Sequence, residues 1–387
     1  MERLIIGIVG SFGSGCSTVS DILNKKKGFI HIKVSDIIRD FIIREEKKFD
    51  KLPKKEKRTK LQNYGNKLRK TNGTGYLANI AIEQATKINN KRPIIIDCIK
   101  NPGEVEAIRK HSKGYVIAVN APFSVRWERC QNDYDGDQKQ FKMDDERDRK
   151  EKNQNGDILK EGQEVQKCVD LADIYINNDK QFLTKREKEE FIKKILYYIY
   201  ILENPGSREP TIGELMMNNA YCTSLLSKCL KRRVGAIITL PQSSTEECII
   251  SSGYNTIPKG QRSCREEHGK CYREICIKAF EHDNKIKIEN VPGRLLDRCR
   301  SLHAEENAIL QMCRIGGTPL VGATLYTTTF PCSLCAKKIV TAGLSRVVWQ
   351  EPYPDIESKK ILESAEIGLI EFEGIKSNSF YKLFYKA

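Results

Sequence analysis

Leu302-His303-Ala304-Glu305-Glu306-Asn307-Ala308-Ile309, followed by Pro331-Cys332-Ser333-Leu334-Cys335, decides the C-terminal half of this 387-residue chain. Each stretch reads as the first turn of a helix. Cys332 and Cys335, at i and i+3, share one face of such a turn, and the N-terminal end of a helix favours thiolate over thiol. His303 opens the other helix and brings a neutral imidazole. Three such ligands with a fourth position left for water are what a catalytic zinc requires, whereas a structural zinc closes all four. Glu305, two residues beyond His303, reaches the same centre without ligating. It can take a proton from water whose pKa zinc lowers toward about 7 and pass it to a substrate. Between Glu305 and Pro331 there is room for one helix and one strand. A lone Cys-x-x-Cys reads as structural zinc, and a lone His on an apolar helix reads as core. Their order, each at a helix start, gives the catalytic reading of His303, Cys332, Cys335 and Glu305.

The order His-x-Glu…Pro-Cys-x-x-Cys resembles the zinc-dependent nucleobase deaminases. Upstream stand Gly253-Tyr254-Asn255, Pro258 and a Cys-rich loop. Together with the stretch from Leu302 to Ile309, these make the C-terminal half similar to the deoxycytidylate deaminase family. The resemblance implies a cytidine deaminase-like α/β/α domain that hydrolyses the amine from the cytosine of a free deoxycytidine nucleotide. It gives Asn255 a contact with the nucleotide sugar. The family usually has Gly after this Asn; here Thr256 follows, which predicts a differently shaped loop. The resemblance also implies a second, structural zinc on Cys264, His268 and Cys271, with Cys276 and Cys299 as alternatives for the fourth ligand. Cys299 is preferred, because it would tie the loop to the active site.

Working outward, 39% of residues are apolar and 30% charged, the composition of a globular protein. No apolar run approaches the ~20 residues that span a bilayer. Met1–Ile5 runs directly into a strand, so we expect no signal peptide, no membrane and a cytoplasmic protein. The chain has 14 cysteines, ten of them between Cys222 and Cys335. In a reducing compartment these read as metal ligands or buried thiols before disulfides. The net charge of +15 fits either solvated surface lysines or a polyanionic partner, and charge alone does not separate the two.

The N-terminal half alternates short apolar runs with helical patterns: Leu4–Val9, Phe29–Val34, Pro93–Cys98, Gly114–Asn120 and Asp173–Asn177. That is the mark of a parallel α/β sheet. Gly10-Ser11-Phe12-Gly13-Ser14-Gly15-Cys16-Ser17-Thr18 follows the first strand and precedes a helix, the context of a phosphate-binding P-loop. Gly10, Gly13, Gly15, Ser17, Thr18 and Asp97 are its candidate nucleotide contacts. Cys16 stands where such a loop carries Lys, and a thiol supplies no point charge. Residues 133–162 read as a mobile lid. Arg126, Arg129, Arg147 and Arg149 flank or occupy it, as lid arginines do in nucleoside monophosphate kinases.

We therefore expect a kinase-like P-loop domain over 1–203, a linker at 204–210 and a deaminase domain over 211–387. This fusion resembles the bacterial anti-phage deoxycytidine nucleotide deaminases, which deplete dCTP and dCMP and in some systems are held inactive by an RNA. The expected partners are deoxycytidine nucleotides, a regulatory nucleotide at the P-loop, an inhibitory small RNA and a second copy of the chain as homo-oligomer. The alternatives are a housekeeping dCMP deaminase and an RNA-binding or RNA-editing protein.

Overall fold

The computed structural model describes all residues except 1, 2, 90, 154–157, 181–183, 244, 245, 286–294, 317, 318, 354, 386 and 387. Parts of the expected lid (154–157) and of the Cys-rich loop (286–294) thus lie outside the described residues. The chain divides into two compact units, Met1–Arg208 with Asn378–Ala387, and Glu209–Ser377.

In the first unit, strands β1 (Ile5–Val9), β2 (Ile30–Lys33), β3 (Ile94–Asp97), β4 (Gly114–Asn120) and β5 (Ile174–Asn177) lie in the order β5-β4-β1-β3-β2. All four pairings are parallel. β1 and β3 are buried along their whole length, which is why they read as unbroken apolar runs. Helices α1 (Cys16–Lys27), α2 (Val34–Glu45), α3 (Lys54–Asn72), α4 (Tyr76–Ile88), α5 (Pro102–Arg109), α6 (Phe123–Cys130), α7 (Gln138–Arg149), α8 (Val165–Leu171) and α9 (Lys185–Glu203) connect or flank them. β1 lies between β3 and β4, so the strand order reverses there and a crevice opens at its carboxyl end.

The charged segment 133–162, expected as a mobile lid, contains α7. That helix is anchored by Phe141, which is fully buried against Phe123, Trp127 and Tyr134, a contribution of about 2 kcal/mol. Residues 378–387 group with the first unit although the sequence boundary assigned 211–387 to the second. Asn378 Nδ2 donates to Leu171 O at 3.0 Å, Ser379 Oγ to Asp173 Oδ1 at 2.6 Å, and Gly206 N to Leu383 O at 2.7 Å.

The second unit opens on α10 (Ile212–Ser224), which has a capping box between Thr211 and Glu214. Strands β6 (Gly235–Pro241), β7 (Glu247–Tyr254), β8 (Thr324–Thr329), β9 (Arg346–Glu351) and β10 (Gly368–Glu371) form a sheet ordered β10-β9-β8-β6-β7. β6 pairs antiparallel with β7 and β8; β8, β9 and β10 run parallel. The segment 256–300, expected to be a loop, holds α11 (Cys264–His268) and α12 (Tyr272–Asp283). Helices α13 (Ala304–Ile315), α14 (Ser333–Thr341) and α15 (Ile356–Ser364) complete the unit.

Gly253 of β7 fixes where α13 sits. A Cβ there would stand 2.3 Å from Ala304 O and 2.4 Å from Ala308 N. Ala304 and Ala308 are small for the same reason, and both are fully buried with Ala236, the residue paired with Gly253. The helix backbone therefore rests on the strand itself, with no side chain between them.

Candidate active site

His303 and Cys332 are the N-caps of α13 and α14, so both helices point their amide ends at one centre. Glu306 closes the capping box by accepting from His303 N, and it also pairs with Lys338 Nζ at 2.6 Å, which ties α13 to α14. His303 Nδ1 lies 3.2 Å from Cys332 Sγ and 3.4 Å from Cys335 Sγ. All three ligand atoms fall within 4.8 Å of one another, and among the described residues no other group of three ligand-type side chains does so. Tetrahedral zinc with the usual Zn–S and Zn–N lengths separates S from N by about 3.6 Å. The triangle fits that ion.

The protonation of the cluster fits it too. Cys335 hydrogen-bonds the Cys332 sulfur and, against burial, brings that thiol down to about 4, with His303 adding to the lowering. Hydrogen bonds with Cys299 and Cys332 raise His303 to about 10. Zinc would replace these shared protons. Glu305 is 4% exposed and lies outside the ligand triangle. Burial pushes its carboxyl up to about 7, with the charge on His303 opposing the rise. A carboxyl poised there both accepts and donates a proton near neutral pH.

A cavity of about 150 Å³ opens on His303, Glu305 and Cys332 and is walled by Phe330, Tyr353 and Asn255. A second cavity of about 290 Å³ shares Asn255, Arg273, Cys299 and Ser301 with it. Three cations reach the smaller cavity: Lys231, Arg232 and Arg273. Lys231 pairs with Glu274 and Arg232 with Glu351. Arg273, on α12, makes no ion pair among the described residues. The sequence reading missed it, because it treated its segment as loop.

Asn255 is placed at the site but is otherwise engaged. Its Oδ1 accepts from Val234 N and its Nδ2 donates to Arg232 O, both at 2.8 Å. Each amide atom thereby makes one hydrogen bond that braces the wall of the cavity. The second ligand set does not gather. His268 Nε2 stands 3.0 Å from Arg300 Nη1 and the ring stacks on Tyr272. Cys299 turns to His303, so it does tie the segment to the active site, as a thiol–imidazole contact. Cys264 and Cys271 line the larger cavity with it.

In the first unit, Gly13 and Gly15 take φ of 77° and 100°. At Gly15 an L side chain would be strained. Ser17 Oγ donates to Asp97 Oδ2 at 2.8 Å, and Asn178 Nδ2 donates to Ser14 O at 2.7 Å. Gly10, the last residue before the turn, packs against Val119 O, and Thr18 lies in the first turn of α1. Arg126 and Arg129, from α6, donate to the loop carbonyls of Phe12 and Gly13. Arg147 is engaged with Glu151 and Asn63.

Comparison with known proteins agrees with this division. Residues 211–351 match the cytidine and deoxycytidylate deaminase zinc-binding region, and residues 6–154 match an AAA domain. The deoxycytidylate deaminase of Mycobacterium phage D29 is 30% identical over 140 residues, 36% of this chain and 94% of the phage protein. The chain belongs to the deoxycytidylate deaminase family. The deoxycytidylate deaminase of Schizosaccharomyces pombe is 33% identical over 205 residues, 52% of this chain; the match spans only 54% of the yeast protein's length. A solved structure, that of dCMP deaminase from cyanophage S-TIM5 in complex with dCMP and dUMP, is 24% identical and covers 43% of this chain and 99% of that one, with a TM-score of 0.31. The zinc-binding region that defines the match contains all of His303, Glu305, Cys332 and Cys335. No helix among the described residues is long and apolar enough to cross a membrane.

Proposed function

We propose that this protein deaminates the cytosine of free deoxycytidine nucleotides, dCMP or dCTP, to the uracil nucleotide by hydrolysis. The observation that carries the reading is the His303–Cys332–Cys335 triangle beside the buried, non-ligating carboxyl of Glu305. His303 Nδ1 and the sulfurs of Cys332 and Cys335 would hold the zinc. Zinc supplies Lewis acidity and lowers the pKa of water toward about 7. The Glu305 carboxylate takes one proton from the attacking water and gives it to the ring nitrogen, then takes the second from the hydroxyl now on carbon and gives it to the ammonia that departs as the C–N bond breaks. Phe330 and Tyr353 wall the cavity against bulk water. Arg273, lining both cavities, anchors the nucleotide phosphate. Asn255 positions the strand end that shapes the sugar side.

A second, structural zinc on Cys264, His268, Cys271 and Cys299 belongs to the same reading. Its support is that the three cysteines line one cavity. The fusion of a P-loop unit to this site supports a role in anti-phage defence, in which deoxycytidine nucleotides are depleted. A regulatory nucleotide would then act at the loop Gly10–Gly15 with Ser17, Thr18 and Asp97. An inhibitory RNA belongs to the same defence reading, and the +15 charge has the sign such a partner needs. A housekeeping dCMP deaminase is the second reading, favoured by the names of the relatives. Purified, zinc-loaded protein should be offered dCMP, dCTP and a deoxycytidine-containing oligonucleotide. Uracil product from the free nucleotides alone is the expected result. Turnover of dCTP favours nucleotide depletion, turnover of dCMP alone favours the housekeeping reading, and turnover of the oligonucleotide overturns both.

A further inference from the structure

The P-loop of the first unit lacks its lysine, yet the crevice above it is not short of positive charge. Burial, and then the charge of Asp97, push the Cys16 thiol up to about 12, so at neutral pH it carries neither charge. Phe12, in the middle of the loop, is surrounded by three cations instead. Lys100 Nζ lies 4.6 Å from its ring centroid and the Arg58 guanidinium 4.5 Å, while Arg126 Nη1 donates to its carbonyl at 3.1 Å. Lys100 is close enough to Cys16 for their charges to interact. Its backbone is fixed, since Lys100 N donates to Glu104 Oε2 at 2.8 Å and Lys100 O accepts from Glu164 N at 2.9 Å.

Each of these cations is neutralised by one carboxylate of α7. Arg58 pairs with Asp144 at 3.1 Å, Arg126 with Asp145 at 2.6 Å and Lys100 with Asp148 at 2.8 Å. Three acids on one helix, each facing one cation around a phosphate-binding loop, is the charge pattern of a polyphosphate. A further acid stands beside the loop, where Asp97 Oδ2 meets His31 Nε2 at 3.4 Å. Asp97 is fully buried, bonds Ser17 through Oδ2 and leaves Oδ1 without a hydrogen bond.

We infer that this crevice takes the polyphosphate of a nucleoside triphosphate, that Lys100 supplies the cation which Cys16 does not, and that the α7 aspartates hold the cations until phosphate replaces them. The inference rests on the proposal that the loop binds nucleotide, and it adds which residue makes that binding strong. A lysine arriving from the end of β3 serves the phosphates as well as one from the loop, because a flexible ammonium acts as a point charge and not as a directional fork.

The test uses the full chain and magnesium with ATP, whose adenine does not suit the cytosine site, and separately with inorganic tripolyphosphate. Lys100→Gln alone would leave Asp148 buried and unpaired, so the informative pair is D148N against D148N/K100Q, with thermal melting to confirm the fold. D148N should bind both probes at least as tightly as the unaltered chain. D148N/K100Q should bind them about tenfold or more weakly, the loss expected when a charged hydrogen bond is removed. Adding C16K to D148N/K100Q, which returns the charge to the loop, should restore most of the affinity. If D148N/K100Q binds like D148N while G15D abolishes binding, the loop binds nucleotide and the role of Lys100 is wrong. If neither probe binds the unaltered chain, both the loop reading and this inference fall.

Discussion

The zinc centre and the P-loop crevice place charge in opposite ways. At the zinc centre every chemical group sits within a few residues of a helix start, and the ligands converge because two helix N-termini converge. At the P-loop the backbone has kept its form, with Gly13 and Gly15 at positive φ, but its cation has moved to another strand end. A motif that carries its chemistry on contiguous residues can be read from the sequence. A motif whose backbone and charge come from different elements can be read only as half of itself. The missing Lys suggested a loop without a cation; the fold supplies one through Lys100.

The same contrast explains what else the sequence hid. His303 and Cys332 were legible at helix starts because His-x-Glu and Pro-Cys-x-x-Cys set their ligands within one helical turn. The strands β1, β3 and β4 were legible because burial on both faces leaves unbroken apolar runs. Helices α11 and α12 were not, since Ile277 is their one buried apolar side chain and Ile275 and Phe280 remain exposed. Periodicity has little to report in such a segment. A signal was present all the same in Ser263 and Glu266, which form a capping box. Arg273 was hidden with that helix. The burial of Lys100 by Asp148 was hidden because nothing in a linear reading links the end of β3 to the lid.

Perturbing the support of the zinc centre should have the largest effect. Gly253→Val forces side-chain atoms into the backbone of α13 at Ala304 and Ala308. We expect a loss of about 3 kcal/mol or more in stability together with lowered zinc content, measured by melting and metal analysis. Wild-type zinc and activity in that variant would break the claim that strand and helix contact fixes the ligands.

Arg273→Gln should act on binding. KM for dCMP should rise about tenfold, while turnover of deoxycytidine, which has no phosphate, should be unchanged. An equal loss for nucleoside and nucleotide would assign Arg273 to the fold and not to the phosphate.

The smallest effect is expected at the second ligand set. Cys271→Ser should leave the catalytic zinc in place, lower the melting temperature by a few degrees and reduce metal from about two per chain to about one. A single zinc in the unaltered chain, removed entirely by Cys332→Ser, would eliminate the structural site and leave Cys264 and Cys271 as cavity-lining thiols.

The central claim is that Glu305 moves the proton at a zinc centre it does not ligate. Glu305→Gln keeps the size and a hydrogen-bonding side chain but has no carboxylate to carry a proton. Measured on metal-loaded protein with dCMP and dCTP as substrates, this variant should retain full zinc and lose uracil nucleotide formation about a thousandfold. Zinc-loaded Glu305→Gln protein that forms product at the unaltered rate would contradict the account.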